Sequence, residues 1–120
     1  MLPLASWNCL HLHEKEQDMS FIKNLLGIKS VDYKALVDEG AIIVDVRTPG
    51  EYSGGHIEGS INIPLDTLER NLGKLKDKQK PVITCCASGM RSGRAKGILE
   101  AKGYENVVNG GGWASLNAKI

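Results

Sequence analysis

Short apolar runs alternate with helical patterns from about residue 28 to the end of the chain. The run at 41–46 is apolar on both faces and rich in β-branched residues, which predicts a buried central strand. Shorter runs predict further strands at 61–64, 81–85 and 106–108. Strands that alternate with helices are typical of an α/β protein with a largely parallel sheet.

The first two predicted helices carry recognisable end signals. Ser30 is expected to cap a helix that stops at Gly40. Thr48 is expected to cap the second helix, with Pro49 at its first position and Glu51 placed to complete a capping box. One helix is therefore expected before the central strand and a short one after it, which Gly54 and Gly55 end.

The second half of the chain repeats this alternation. Helices are predicted at 65–75 and 92–102, and Gly103 ends the latter. The glycines at 110–112 predict a turn into a final helix at 113–116. The pattern thus places a helix after each strand.

Composition limits the partners of the protein. The chain has 120 residues, of which 42% are hydrophobic and 24% charged, as in one soluble globular domain. Its formal net charge of +1 argues against a nucleic-acid surface or a polybasic membrane surface. No apolar stretch is long enough for a membrane span, so neither nucleic acid nor membrane is an expected partner.

The first twenty residues lack the pattern of the rest. We interpret 1–20 as a poorly ordered tail and 21–120 as the domain. Met19 precedes the first domain-like segment, which raises the hypothesis that translation in the cell starts there. Cys9, with His11 and His13, is interpreted as part of the tail rather than as a metal site, and no metal is expected.

The cysteines indicate a compartment. There are three, Cys9, Cys85 and Cys86, and two of them are adjacent. Three cysteines, two of them adjacent, do not form the pattern of a disulfide-stabilised protein. Unpaired thiols favour a reducing compartment, so a cytoplasmic location is expected.

The candidate chemistry lies in the loop between the predicted strand 81–85 and the helix that follows. The loop consists of Cys86, Ala87, Ser88, Gly89, Met90, Arg91 and Ser92. Backbone N–H groups and the positive end of a helix form an anion site at such a place, and they lower the pKa of a cysteine thiol there. Gly89 lets the loop turn, Arg91 adds a cation with a fork suited to oxyanions, and Ser92 is expected to cap the helix. The structural alternative is a buried, unreactive cysteine.

Two other chemistries use cysteine loops of a related kind. Phosphatases of the Cys-loop-Arg kind use a related cradle, but four residues separate Cys86 from Arg91, one fewer than in the phosphatase pattern. A redox pair is the other, but Cys85 and Cys86 lack the C-x-x-C spacing of dithiol exchange.

Several motifs occur in order along the chain: Asp45-Val46-Arg47, Glu51-Tyr52, the run Gly55 to Pro64, the 86–92 loop, Gly103 to Val107, and Gly111-Gly112-Trp113. With them, the chain from about 28 to 117 resembles the rhodanese-like domain in its single-domain form. The resemblance implies a five-stranded, mostly parallel sheet flanked by helices in three α/β/α layers. It also places a nucleophile at the carboxyl end of a central strand, where sites of open α/β sheets lie.

The resemblance also implies roles for individual residues. Cys86 matches the family nucleophile, which carries a persulfide, and the loop to Arg91 matches its cradle, which Arg91 closes. Asp45, Arg47 and Glu51 match supporting residues, and we expect the first two to form a satisfied buried ion pair. His56 also matches a family position, and we expect it to cap or pack rather than act as a base.

The activity implied is transfer of a sulfane sulfur from thiosulfate or a related donor. The acceptor would be cyanide, a thiol or a protein dithiol, and no metal or organic cofactor is expected. The alternative is a non-catalytic rhodanese-like module that binds a partner or carries a persulfide.

Cys85 departs from the family, which more often has tyrosine or an aliphatic residue there. In an extended strand its side chain points away from that of Cys86. We expect Cys85 to fill the core, and a resolving thiol is the alternative, since a vicinal disulfide would strain the peptide between the two cysteines.

Overall fold

The computed structural model describes residues 31–120. The predicted tail, the candidate Cys9, His11 and His13 cluster, and the predicted domain start at 21 lie outside these residues. The elements in chain order are α1 (Tyr33–Asp38), β1 (Ile42–Asp45), α2 (Pro49–Ser53), β2 (Ile61–Asn62), a 3-10 segment (Leu65–Lys74), β3 (Val82–Cys86), α3 (Met90–Ala101), β4 (Val107–Gly112) and α4 (Trp113–Asn117).

The strands form one parallel sheet in the order β2-β1-β3-β4. The α/β class and the flanking helices are as predicted, but residues 31–120 contain four strands rather than five. Because parallel strands end at the same edge, the residues that follow β1, β3 and β4 meet there. Cys86 ends the central strand β3 and therefore lies at the middle of this edge.

The sheet is buried on both faces, which explains the apolar runs of β1 and β3. One face packs with α3 and the 3-10 segment in a cluster of buried residues that includes Val44, Val82, Leu68, Leu99 and Cys86. The other face packs with α1 and α4 in a cluster that includes Ile43, Ile57, Ile83, Leu116 and Cys85. The alternation of side chains along a strand thus separates the two neighbouring cysteines.

Two predicted helices differ in detail. Asp32, not Ser30, caps α1, because its Oδ1 accepts a hydrogen bond from the N–H of Ala35 at 3.0 Å; Ser30 itself lies outside the described residues. The predicted helix at 65–75 is a 3-10 segment with a kink at Asn71. Leu65, Leu68, Leu72 and Leu75 are spaced as on one face of an α-helix, so the sequence pattern predicts a helix here but does not distinguish the 3-10 form.

The predicted glycine turn at 110–112 is wrong, because these residues extend strand β4. A β-carbon on Gly110 would lie 2.8 Å from Ile83 Cγ2, and one on Gly112 would lie 2.9 Å from the carbonyl oxygen of Ala87. The two glycines therefore allow strand β4 to lie close to β3 and to the loop that follows it. No helix within residues 31–120 is long and apolar enough to cross a membrane.

Candidate active site

The turn after β3 directs backbone N–H groups at the sulfur of Cys86. Gly89 has φ +105°, a left-handed conformation that favours glycine, and α3 begins at the next residue. The N–H of Gly89 lies 2.9 Å from Cys86 Sγ, and the N–H of Ser92 lies 3.3 Å from it. The sulfur thus accepts hydrogen bonds from the N-cap residue and from the third residue of α3, where helix N–H groups lack partners within the helix.

Ser92 does not cap α3, contrary to the prediction. The helix begins at Met90, two residues earlier than predicted, so Ser92 is its third residue and is buried. Its Oγ lies 3.3 Å from Cys86 Sγ and donates a hydrogen bond to Asn109 Oδ1 at 2.6 Å. The hydroxyl is therefore part of the surroundings of the thiol.

The surroundings of Cys86 favour its thiolate. Burial by itself raises the pKa of a thiol, and Cys86 is only 1% exposed. Hydrogen bonds from Ser92 and from the backbone N–H groups of Gly89 and Ser88 outweigh burial, so the pKa of Cys86 lies below its ordinary value. These are the groups expected of an anion-binding loop.

Cys85 points into the opposite face of the sheet, as predicted. Its side chain is fully buried, and burial, helped by the charge of Asp45, raises the pKa of this thiol to about 12. Both thiols are free. At neutral pH Cys85 is therefore a protonated core residue.

Arg91 makes a two-pronged ion pair with Glu51. Its Nη1 lies 2.8 Å from Oε1 and its Nη2 lies 3.0 Å from Oε2. Glu51 also completes the predicted capping box with Thr48, whose Oγ1 accepts a hydrogen bond from the N–H of Glu51 at 3.2 Å. The guanidinium holds the pKa of Glu51 at about 2. The pair ties the start of α2 to the loop, and it occupies the fork predicted to close the cradle.

Asp45 and Arg47 form the satisfied buried ion pair that was predicted. Arg47 Nη2 lies 2.7 Å from Asp45 Oδ2, and Nε lies 2.9 Å from Oδ1. Arg47 also donates to the carbonyl of Gly55 at 2.7 Å and lies over the Trp113 ring, 4.8 Å from its centre. It therefore holds the end of β1, the end of α2 and the start of α4 together.

His56 packs against α2, as expected. Its Nδ1 lies 2.7 Å from the carbonyl oxygen of Tyr52, and its ring stacks on the Tyr52 ring with centres 3.8 Å apart. The same carbonyl also accepts a hydrogen bond from the N–H of Gly55 at 3.1 Å. The histidine thus packs against the C-terminal end of α2.

The remaining loop residues form its outer surface. Ala87 and Ser88 are exposed, and Met90 is 79% exposed. A small cleft of about 100 Å³ lies beside Arg91 and is lined by Val46, Thr48, Pro64, Leu65, Asp66 and Arg91. Arg91 is the one residue of the 86–92 loop that lines this cleft.

Asn109 is the site residue that sequence reasoning missed. Its Oδ1 accepts from the Ser92 hydroxyl and from the N–H of Gly111 at 2.9 Å, and its Nδ2 donates to the carbonyl of Gly89 at 3.2 Å. The side chain joins β4 to the loop. The available signal was a polar residue between the predicted strand 106–108 and the glycine run 110–112.

Comparison with known proteins agrees with the geometry. A sequence profile of the rhodanese-like domain matches residues 30–119. The chain belongs to the rhodanese-like domain family. It is 44% identical over 70 residues to the thiosulfate sulfurtransferase PspE of Escherichia coli, covering 58% of this chain and 67% of that protein.

Other members resemble the chain over different extents. The thiosulfate:glutathione sulfurtransferase of Saccharomyces cerevisiae is 35% identical over 119 residues, which cover 87% of this chain and 82% of that protein. A solved structure described as rhodanese with anions from E. coli is 39% identical, with a TM-score of 0.59 over 68% of this chain and 92% of that one. The tRNA uridine(34) hydroxylase of Erwinia tasmaniensis is 33% identical over 100 residues, 77% of this chain, but the chain covers only 29% of it.

Proposed function

We propose that the protein is a sulfurtransferase that moves a sulfane sulfur from thiosulfate, or a related donor, to a thiophilic acceptor through a persulfide on Cys86. The observation that carries the proposal is the pair of backbone N–H groups, from Gly89 and Ser92, directed at Cys86 Sγ. A thiolate held in this way is both available and placed beside donors that suit an anionic substrate. Relatives that are named sulfurtransferases support the same reaction class.

In the first half-reaction the Cys86 thiolate attacks the outer sulfur of thiosulfate. A new S–S bond forms on Cys86, the S–S bond of thiosulfate breaks, and its electron pair leaves with sulfite. We assign no separate base to this step, because the Ser92 side chain and the N–H donors of the loop lower the pKa of Cys86. The terminal sulfur of the persulfide is then an anion beside the positive end of α3.

In the second half-reaction a thiophile attacks the terminal sulfur of the persulfide. The S–S bond on Cys86 breaks, its electron pair returns to the Cys86 sulfur, and the acceptor leaves with the transferred sulfur. Cyanide gives thiocyanate in this step, and a thiolate gives a persulfide. Two covalent half-reactions of this kind predict ping-pong kinetics.

The direct test is intact-protein mass spectrometry after incubation with thiosulfate. We expect a gain of one sulfur atom that dithiothreitol removes, and release of thiocyanate when cyanide is added instead. Cys86→Ser should show neither, and Cys85→Ser is the matched control that keeps both. If no sulfur donor adds mass to the folded protein, the proposal fails and the non-catalytic binding module replaces it.

Two other activities have less support. The loop has four residues between Cys86 and Arg91, and Glu51 occupies the Arg91 fork that a phosphoryl group would need. We therefore expect no hydrolysis of phosphate monoesters. The hydroxylase relative is far longer than the matched segment, and its activity is not carried over to this chain.

A further inference from the structure

Only one assignment of the oxygen and the nitrogen of the Asn109 amide is consistent with its hydrogen bonds. The N–H of Gly111 can only donate, so the atom of Asn109 that it contacts at 2.9 Å is the carbonyl oxygen. The carbonyl of Gly89 can only accept, so the atom near it is the amide nitrogen. The orientation of the Asn109 side chain is therefore determined by two backbone groups from different parts of the site.

This orientation in turn determines the direction of the Ser92 hydroxyl. An amide oxygen accepts and never donates, so at 2.6 Å from Asn109 Oδ1 the Ser92 hydroxyl gives its proton to Asn109. The oxygen of Ser92 is then free to accept the S–H of Cys86, 3.3 Å away. The thiol form thus has a continuous chain of donors from Cys86 through Ser92 to Asn109.

The thiolate form needs the Ser92 hydroxyl to donate in the opposite direction, towards Cys86 Sγ. A thiolate has no proton, so the Ser92 hydroxyl, unlike the Ser92 N–H, stabilises it only by turning away from Asn109 and towards the sulfur. That turn gives up the 2.6 Å hydrogen bond and leaves Asn109 Oδ1 with the N–H of Gly111 alone. The Ser92 hydroxyl also reaches the carbonyl oxygen of Gly89, but at the longer distance of 3.2 Å. Asn109 is therefore the nearest competitor of the thiolate for the Ser92 proton.

We propose that Asn109 is a positioning residue that holds the Ser92 proton away from Cys86 and so opposes formation of the thiolate. The inference rests on the proposed role of Cys86 as the reactive thiol. A thiol that is too acidic is a poor nucleophile, and the best attacking thiol titrates near the ambient pH. Asn109 would keep the N–H groups of the loop from making the sulfur too acidic to attack a donor.

The other charged groups at this corner occur as pairs. Arg91 of α3 is paired with Glu51 of α2, and Asp45 is paired with Arg47 at the end of β1. Cys85, on the other face of β3, stays protonated at neutral pH. The Asn109 side chain is hydrogen-bonded to Ser92, Gly89 and Gly111 and to none of these charged groups. A shift in the titration of Cys86 on replacement of Asn109 would therefore report the Ser92 contact.

The test is the pH profile of alkylation of Cys86 by iodoacetamide, with Cys9 replaced by serine in every variant. Asn109→Leu removes the acceptor at similar volume and should move the midpoint to lower pH, with roughly two to ten times more thiolate below the midpoint, as expected for one lost hydrogen bond. Asn109→Ala should move it in the same direction. Asn106→Leu, at the other end of β4, is the matched control and should leave the profile unchanged.

A second measurement separates this role from support of the loop. If Asn109 acts through the hydroxyl, its replacement should have no effect on the midpoint in a Ser92→Ala background. A loosened loop would instead weaken the N–H contacts and raise the midpoint. A raised or unchanged midpoint in Asn109→Leu and Asn109→Ala, or a shift that persists without the Ser92 hydroxyl, would overturn the proposal. Alkylation reads the thiol directly, so failure of sulfur transfer would not be mistaken for failure of this inference.

Discussion

The two faces of β3 hold adjacent cysteines with opposite acid–base behaviour. Both side chains are buried, at 0% and 1% exposure for Cys85 and Cys86. Burial raises the pKa of Cys85 to about 12, whereas hydrogen-bond donors bring the pKa of Cys86 below its ordinary value. Burial thus disfavours the thiolate at both positions, and only at Cys86 do hydrogen-bond donors, the Ser92 side chain and the N–H groups of the loop, outweigh it.

The largest expected effect comes from replacing each of the two cysteines by serine in turn. Cys86→Ser should abolish persulfide formation, because an alcohol has no accessible anion near neutral pH and cannot carry a sulfane sulfur. Cys85→Ser should keep most of the activity. Thiosulfate:cyanide transfer by the two folded variants, measured with fresh reductant, makes the comparison. If both variants are inactive and folded, the resolving-thiol hypothesis for Cys85 replaces ours.

The second effect should follow from moving the loop that supplies the donors. Gly112 has ordinary backbone angles, but a β-carbon there would lie 2.9 Å from the carbonyl oxygen of Ala87. We expect Gly112→Ala to displace the loop, to cost about 1–3 kcal/mol of unfolding free energy, and to raise the pKa of Cys86 towards that of an ordinary buried thiol. Alkylation profiles and thermal melts measure both effects.

Gly97→Ala is the matched control for this substitution. Gly97 lies inside α3, and a β-carbon there would have nothing within 4 Å. Alanine should therefore stabilise the helix by roughly 0.5–1 kcal/mol and leave the alkylation profile of Cys86 unchanged. An unchanged profile in Gly112→Ala as well would show that the loop tolerates the contact.

A similar cost in stability, without a change in chemistry, is expected on the opposite face. Cys85→Ser places a hydroxyl in an apolar cluster and should lower the unfolding free energy by about 1–3 kcal/mol if the hydroxyl finds no partner. Cys85→Val should cost less, since it keeps the site apolar. Denaturant unfolding measures the loss. A change in the alkylation midpoint of Cys86 in either variant would contradict the separation of the two faces.

The smallest effect should come from the partly exposed ion pair of Glu51 and Arg91. The pKa of Glu51 is lowered from 4.5 to about 2 in the folded protein, so its pairing with Arg91 stabilises the fold above about pH 4.5 and is lost as the pH falls towards 2. Glu51→Gln should remove that part of the pH dependence. The pair is partly exposed, so the change should be modest.

Melting temperatures of wild type and Glu51→Gln between pH 2 and pH 7 test this. The difference between them should be constant near neutrality and shrink as the pH approaches 2. The alkylation midpoint of Cys86 should hardly move, because the sulfur is held by N–H groups and Ser92 rather than by Arg91. A large shift of that midpoint would show that the charges of Glu51 and Arg91 determine the pKa of Cys86.

Local patterns predicted the parts of the site that depend on near neighbours. The capping box of Thr48 and Glu51 spans three residues and formed as predicted. The alternation of side chains along a strand predicted that Cys85 and Cys86 face opposite ways. The family motifs predicted the parallel sheet and the loop after its central strand. The catalytic role of that loop stays a prediction until sulfur transfer is measured, and so does the cytoplasmic location.

Other contacts could not be predicted because they join distant positions. The sequence by itself determined the apolar strands, the helix ends with strong caps, and a cysteine followed by a glycine-containing loop. Only the tertiary structure decided that Arg91 pairs with Glu51, 40 residues away, and that Ser92 meets Asn109, 17 residues away. Such contacts depend on the order and register of the strands and on where α3 begins. A shift of two residues in that start turned Ser92 from a predicted cap into a neighbour of the thiol.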